Sequence, residues 1–481
     1  MCKVAIDEPQ FPPFRGNIPG RGKALEATSA SQVKDRGTFV ESMYSAGLDE
    51  VVFRTRVDGG VVRKAHCLSR ALWASAAISI LGSPAIAQEA TQAKKGDRLV
   101  TVDDHGFTVQ SPDGGIKFHL GGRLQGDFGS GGSSAVTDEF PKHAAIRRAW
   151  LEPKLTIYDD LIFALQYDFS SDTTPVDNLI ATYKGFSPFT ITLGNFKEPF
   201  SLDVLTANND IMFMERSLPT AFASGPAGRN TGAAIGTHGD NWTLAGGVFG
   251  GNINHSVDGV GIEGTIRATY APILTSHEVV HFGVSANYHS LANDVGASFS
   301  TTPESFLFDA DLVKTGNIKD ANSIGRLGLE FAWANGPFRI QSEYIATQVD
   351  RDTKPDAFFQ GGYVQGGWVI NGNAAPYVLQ ADTATEIGIF KRVQPSKDQR
   401  VTQGGAGVFE AVARYSAIDL DSHDIQGGFQ QDVTLGLNWY PEPFARVMAN
   451  YIHAWADPTA GSLGGDDGNA DIFQMRLQVA F

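Results

Sequence analysis

Cysteine is nearly missing from this chain: among 481 residues there are two, Cys2 and Cys67. Both precede a secretory cleavage site identified below, so the mature chain would carry no disulfide framework and no thiol chemistry. Also missing is any uninterrupted apolar run of the ~20 residues that a membrane-spanning helix requires. That argues against a helical membrane protein. It says nothing against a membrane-spanning sheet, whose alternation dilutes hydropathy. Positive charge is in deficit, with 38 Lys and Arg against 53 Asp and Glu, and nothing in this balance suggests nucleic acid as a partner. The chain has no G-x-S-x-G elbow, no H-E-x-x-H, no P-loop and no C-x-x-C. It therefore offers no motif-borne nucleophile, zinc site or phosphate cradle, and no cofactor is expected. Asp466, Asp467, Asn469 and Asp471 could touch a cation weakly. Their spacing is not that of an EF-hand loop, and a solvated acidic loop is the simpler reading.

One short apolar run is present. Arg63, Lys64 and Arg70 precede the apolar segment 71–81, and Gly-Ser-Pro-Ala-Ile-Ala follows at 82–87. A basic start, an apolar stretch too short to span and a small-residue cut site describe a secretory signal over 61–87, cleaved after Ala87. Residues 1–60 show no periodicity and read as a non-native or disordered extension, with the true start near Val61, Val62 or Met43. Without residues 1–87 the balance becomes 27 basic and 45 acidic residues, a net charge of −18.

What the chain has in abundance is alternation. The last stretch, Asp471 to Phe481, places Phe473, Met475, Leu477, Val479 and Phe481 on one parity and Gln474, Arg476 and Gln478 on the other. Successive strand side chains point to opposite faces, so this is a strand with one greasy and one wet side. Residues 116–128, 145–158, 161–170, 262–271, 409–415 and 433–439 follow the same rule. Weaker candidates are 177–186, 188–196, 230–238, 241–250, 278–290, 321–334, 336–349, 358–371 and 444–455. Together they predict an all-β transmembrane antiparallel barrel of about sixteen strands over 116–481, behind a periplasmic lead and first turn at 88–115. The polar parity carries Arg148, Glu152, Lys154, Glu263, Arg267, Glu330 and Arg339. A packed sandwich core could not hold those charges without a heavy desolvation cost.

Tight turns are expected at 158–160, 186–188, 239–241, 335–337 and 441–443. Three connections are far longer: 197–229, 291–320 and 372–404. Long segments without structure of their own are uncommon in compact folds. A barrel too wide to fill with its own side chains gives them a natural place in the lumen.

Several stretches resemble one family. They are Ile-Arg-Arg-Ala-Trp-Leu (146–151), Thr-Ile-Thr-Leu-Gly-Asn-Phe-Lys-Glu-Pro-Phe-Ser-Leu (190–202), Phe-Met-Glu-Arg-Ser-Leu-Pro (213–219) and Gly-Arg-Asn-Thr-Gly (228–232). Glu-Ala-Val-Ala-Arg-Tyr-Ser (410–416), Leu-Gly-Leu-Asn-Trp-Tyr (435–440) and Met-Ala-Asn-Tyr-Ile-His-Ala (448–454) belong with them. Over about 116–481 the chain is similar to the phosphate-selective porin O and P family of Gram-negative outer membranes. The resemblance implies a sixteen-stranded homotrimeric porin with long loops folded inside to narrow the pore. It also implies small anions such as phosphate as solutes, outer-membrane lipid around the barrel, and the barrel-assembly machinery reading Phe481 at the end of the last strand.

An anion in a narrow lumen needs fixed donors and positive charge to replace its hydration. Arg supplies a fork for phosphate oxygens and Lys a point charge. The candidates are Lys197, Arg216 and Arg229 from the third external connection, 197–229, Lys391, Arg392 and Lys397 on segment 372–404, and Arg148 and Lys154 on the wall. One departure stands out. The resemblance implies a pore lined with closely spaced arginines, yet segment 291–320 holds only Lys314 and Lys319 against Asp294, Glu304, Asp309, Asp311 and Asp320. The readings that compete are a general or weakly cation-selective diffusion porin, an outer-membrane barrel hydrolase and an adhesive barrel.

Overall fold

In the computed structural model the described residues are 38–41, 54–57, 99–104, 106–134, 143–223, 228–255, 261–292, 296–457 and 468–481. The signal segment 61–87, most of the extension before it, and Asp466 and Asp467 lie outside them. The chain divides into two units, residues 1–91 and residues 92–481. In the first, Thr38–Glu41 pairs antiparallel with Arg54–Val57.

The second unit is a closed antiparallel barrel. Its strands are β1 (Ile116–Ser133), β2 (Ala144–Ile157), β3 (Leu161–Asp168), β4 (Val176–Phe186), β5 (Phe189–Lys197), β6 (Arg229–His238), β7 (Trp242–Phe249) and β8 (Ile262–Leu274). They continue as β9 (Glu278–Ser290), β10 (Ala321–Asn335), β11 (Phe338–Arg351), β12 (Ala357–Val369), β13 (Val408–Ser422), β14 (Ile425–Glu442), β15 (Ala445–Asp457) and β16 (Gly468–Ala480). Each strand pairs with its neighbour in sequence, and β16 closes on β1 from Ala470↔Ser133 to Ala480↔Arg123. Alternation is strict in β16: Gln474, Arg476 and Gln478 are buried while Phe473, Met475, Leu477 and Val479 are exposed. No helix among the described residues is long and apolar enough to cross a membrane. The strands cross instead.

The two ends of the barrel differ. One end has tight turns at the positions expected, and a further one at 275–277 that the pattern did not announce. The first of these turns holds Tyr158 at φ 52° and Asp159 at φ 62°, the positive values that a two-strand reversal matching the sheet twist demands. At the other end His423 and Asp424 make the one abrupt reversal among the described residues, between β13 and β14.

Part of the lead is also ordered sheet. Val100–Asp103 and Gly106–Gln110 form a hairpin that pairs with β1 at Lys117–Leu120, below the end of β16. The Phe481 carbonyl accepts from the Gly122 N–H at 2.9 Å, and the Phe481 N–H donates to the Gly122 carbonyl at 3.0 Å. Gly106, at φ 112°, lets the hairpin approach: a side chain there would meet the Leu120 carbonyl at 2.5 Å.

The inward parity is not uniformly wet. Phe200, Val204, Leu218 and Phe222 of the β5–β6 connection pack with Phe299, Phe308, Leu312 and Val313 of the β9–β10 connection. They rest on inward side chains Ile345, Val349, Phe359, Ile418, Leu420, Ile452 and Ile472. Each such side chain fully removed from water contributes about 1.5–3 kcal/mol, so these strand ends form an apolar seat for the two connections. The β12–β13 connection has its own seat, with Ile389 and Phe390 packed against Leu202, Leu205 and Ala332.

Candidate functional site

The wall formed by β16 and β1 to β6 gathers cations. In β2 a register shift opposite Gln125 and Gly126 pairs Gln125 with Arg148 and Gly126 with Ile146, leaving Arg147 as an extra residue. A bulge of this kind lets two adjacent residues share a face. Arg148 is buried and donates to the Gln125 side-chain oxygen at 2.8 Å. Arg147 grips Glu215 of the β5–β6 connection with two hydrogen bonds, at 2.8 and 3.1 Å, and its guanidinium stands 4.4 Å from the Phe306 ring centre. Glu215 also receives Arg476 at 2.7 Å. Arg476 in turn holds Asp127 at 2.6 and 2.7 Å, both side chains fully buried. Burial pushes the Glu215 carboxyl up, but Arg147, Arg476 and Arg148 overwhelm it and hold the group well below its ordinary value.

Trp150 organises a second group. The Arg123 guanidinium lies 4.3 Å from its ring centre and that of Arg229 5.5 Å. Arg123 reaches Glu152 at 3.2 Å, and Arg229 reaches Asp177 at 3.0 Å and the Asn178 side-chain oxygen at 2.7 Å. Between the two groups, Lys197 and Arg216 converge on one neutral acceptor. The Val204 carbonyl takes the Lys197 ammonium at 2.8 Å and the Arg216 guanidinium at 3.1 Å. Arg216 spends its other donors on the carbonyls of Asp203 and Thr206 and on the Asn208 side-chain oxygen. Burial, with repulsion from Arg229 and Arg147, lowers the Arg216 pKa from its ordinary value despite Asp203 and Glu215. A cavity of about 450 Å³ there is lined by Arg147 and Arg216 and by the carboxylates Glu215, Glu304, Asp309 and Asp311.

The remaining expected residues are placed differently. Lys154 and Lys184 share Asp382 of the β12–β13 connection, at 2.9 and 3.1 Å. Burial pushes that carboxyl up, and the two lysines outweigh it and hold it below its ordinary value. Lys391 stands 3.7 Å from Asp210 and is partly exposed. Arg392 is buried and donates to the Ala480 carbonyl at 3.2 Å. Lys397 is exposed on the same connection. The structure thus brings Arg148, Lys197, Arg216 and Arg229 together and sets Lys154, Lys391, Arg392 and Lys397 apart from them.

Sequence reasoning passed over Arg147 in this wall. The signal was there: adjacent arginines in an alternating strand would force one toward lipid, at about 2–4 kcal/mol near the bilayer midplane. A bulge relieves that cost.

The opposite wall, β8 to β14, uses its charges to hold the inward connections. Arg267 pairs with Glu330 at 2.7 Å and donates to the carbonyls of Ile387 and Gly388. Glu343 accepts the backbone N–H groups of Leu202 and Asp203 at 2.9 and 2.6 Å. Arg414, Ser416 and Thr434 all donate to Glu304 of the β9–β10 connection. Among the described residues no group of His, Cys, Asp and Glu is arranged to hold a metal ion.

Comparison with known proteins agrees with this architecture. The family model described as phosphate-selective porin O and P matches residues 118–481. Porin O of Pseudomonas aeruginosa is 27% identical over 439 residues, covering 81% of this chain and 94% of that protein. An uncharacterized protein of Caulobacter vibrioides is 27% identical over 391 residues, 77% of this chain and 76% of that one. Among solved structures, an anion-selective porin from Comamonas acidovorans is similar with TM-score 0.49 and 10% identity, over 76% of this chain and 100% of that one. With the family pattern running through every strand of the barrel, the chain belongs to the phosphate-selective porin O and P family, porins of the bacterial outer membrane.

Proposed function

We propose that this porin passes small anions, phosphate and polyphosphate among them, by diffusion along the wall of β16 and β1 to β6. The observation that carries the reading is the pairing of cations with neutral oxygens. Arg148 and Arg216 hydrogen-bond to amide and carbonyl oxygens rather than to carboxylates, and Lys197 shares the Val204 carbonyl with Arg216. Carboxylates lie near these cations without being their hydrogen-bond partners: Glu386 stands 3.7 Å from Lys197, and Asp203 and Glu215 act on Arg216 through space. An acidic chain does not oppose the reading. Asp127, Glu152 and Asp177 on the same wall are each engaged by an arginine, and distant acids are screened within about 10 Å at 0.1 M salt.

In this reading Lys197, Arg216, Arg229 and Arg148 form the anion-binding stretch, with Arg123 and Arg147 beside them. Lys154, Lys391 and Lys397 attract anions toward it from the short-turn side, and Arg392 braces the connection that narrows the lumen. The protein acts as a channel and not as a hydrolase, assembles as a homotrimer, and is inserted by machinery that reads Phe481. Its mature chain begins at Gln88. The test is the reversal potential in planar bilayers under a salt gradient, with and without phosphate. Wild type should be anion-selective, and Lys197→Glu should move selectivity toward cations by at least about tenfold, the size of a 1.4 kcal/mol change. A cation-selective wild-type pore would overturn the reading.

A further inference from the structure

The β12–β13 connection was expected to bring cations into the lumen. What it brings to the wall lysines is carboxylate. Asp382 stands 2.9 Å from the Lys154 ammonium and 3.1 Å from that of Lys184. Its position is set by a tight seat just after it. The Ala384 N–H donates to the Thr192 hydroxyl at 3.0 Å, and the Thr385 hydroxyl donates to the Lys197 carbonyl at 3.0 Å. The Ala384 carbonyl lies so close to β6 that a side chain at Gly236 would meet it at 2.1 Å. Two residues further, Ile387 and Gly388 are held by Arg267. Asp382 is therefore presented by a fixed backbone and not by a loose loop.

The triad differs from the buried pairs elsewhere in the barrel. The Asp127–Arg476 side chains are 0% exposed, whereas Lys154, Lys184 and Asp382 are 35%, 30% and 50% exposed. Solvated ion pairs of this kind are weakly held and exchange with ions in solution. Glu386, four positions on, approaches Lys197 at 3.7 Å, but that lysine is only 3% exposed. Of these two carboxylates, Asp382 is the one whose cations are open to exchange.

We propose that Asp382 is a specificity-determining residue, a tethered carboxylate that occupies the Lys154–Lys184 pair until a phosphate-class anion displaces it. The inference rests on the anion-passing reading above and deepens it. A carboxylate offers one charge and two oxygens. Phosphate offers up to two charges and more acceptor oxygens, so it competes for two ammonium groups where chloride, with one charge and no fork, does not. The tether thereby raises the threshold for weakly binding anions at this end of the pore.

The experiment is single-channel recording in planar bilayers with chloride as carrier and inorganic phosphate as blocker. Asp382→Asn should lower the half-blocking phosphate concentration by about fivefold, the effect of one unit charge at ~4 Å in water. It should also raise anion over cation permeability. Asp382→Glu should behave as wild type. A second route does not depend on folding of a neutral variant. The barrel unit has no cysteine of its own, since the chain's two are Cys2 and Cys67. Asp382→Cys can then be treated, after insertion, with a thiosulfonate reagent carrying either a sulfonate or an ammonium group. The sulfonate should restore wild-type behaviour and the ammonium should lower the half-blocking concentration further. Wild-type anion selectivity with no response to Asp382→Asn, or to either reagent, overturns the tethered-carboxylate inference and leaves the pore reading intact. A cation-selective wild type instead overturns the pore reading itself.

Discussion

The two walls of the barrel have the same alternation and a comparable supply of charge, yet they do different things. On β8 to β14 the carboxylates Glu330 and Glu343 and the cations Arg267 and Arg414 are buried beneath the inward connections and matched to them, Arg414 holding Glu304 of the β9–β10 connection. On β16 and β1 to β6, Lys197 and Arg216 share a carbonyl and Arg148 has an amide oxygen. The difference teaches that an inward charge in a porin has two possible fates. Where a connection covers it, it becomes an anchor. Where its hydrogen-bond partners are neutral oxygens, it contributes to the field that a solute meets. Replacing a member of a buried pair should therefore change stability first, and replacing a cation held by neutral oxygens should change selectivity first.

The largest effect is expected at an anchor. Arg414→Met removes the partner of Glu304 and leaves that carboxylate buried, with its backbone N–H on Asp432. Breaking a buried pair on one side costs about 3–5 kcal/mol. Urea unfolding of the folded barrel should show that loss, and conductance should rise as the β9–β10 connection loosens. A change in ion selectivity without loss of stability would erase the distinction between the walls. Phe481→Asp comes next and belongs to neither wall. It should reduce the amount of heat-modifiable, membrane-inserted barrel, while the fraction that does insert keeps wild-type selectivity. Normal levels of folded barrel would remove Phe481 from the assembly argument.

The smallest effect lies at the rim. Hydrogen bonds from Arg351 and then Lys354 hold the Asp424 carboxyl far below its ordinary value. A carboxylate with a lowered folded pKa contributes stability above its unfolded value, near 4, and loses it only as pH falls through the folded one. This tie between the β11–β12 and β13–β14 connections should therefore persist at pH 4 and open in stronger acid. Channel noise recorded as a function of pH checks it, and Asp424→Asn should remove the acid step with little change at pH 7.

Much of the barrel was legible in the sequence. Phe473, Met475, Leu477 and Val479 are exposed and Gln474, Arg476 and Gln478 buried as their parity required, because a period of two leaves a strand no other choice against lipid. The turns followed from Gly, Pro, Asn and Asp at the breaks. The inward apolar seat was not legible. Ile345, Ile418 and Ile472 lie on the wet parity, and only their distance along the strand from the tight turns marks them as a floor for the connections. Nor could spacing show that Lys197 would be buried against Val204, or that Arg392 would point at the end of β16. Those contacts join residues whose neighbourhood is created by the inward folding itself. The acidic role of Asp382 was missed for a related reason: a search for cations on its segment looked past the carboxylate among them.

The seam between β16 and β1 has a consequence for the order of events during biogenesis. The side chains of Gln125 and Gln478 meet across it at 2.8 Å, although 353 positions separate them in the chain. Beside them Arg476 and Asp127 lock together with no exposure. The first strand must therefore wait, one edge unsatisfied, until the final strand has been made and delivered. Unaided, so distant a closure is slow. A slip of β16 by one residue would turn Arg476 toward lipid and leave Asp127 buried without it, so the wrong alignment is costly and the right one is secured by charge. The pair thus favours one register of closure over its neighbours.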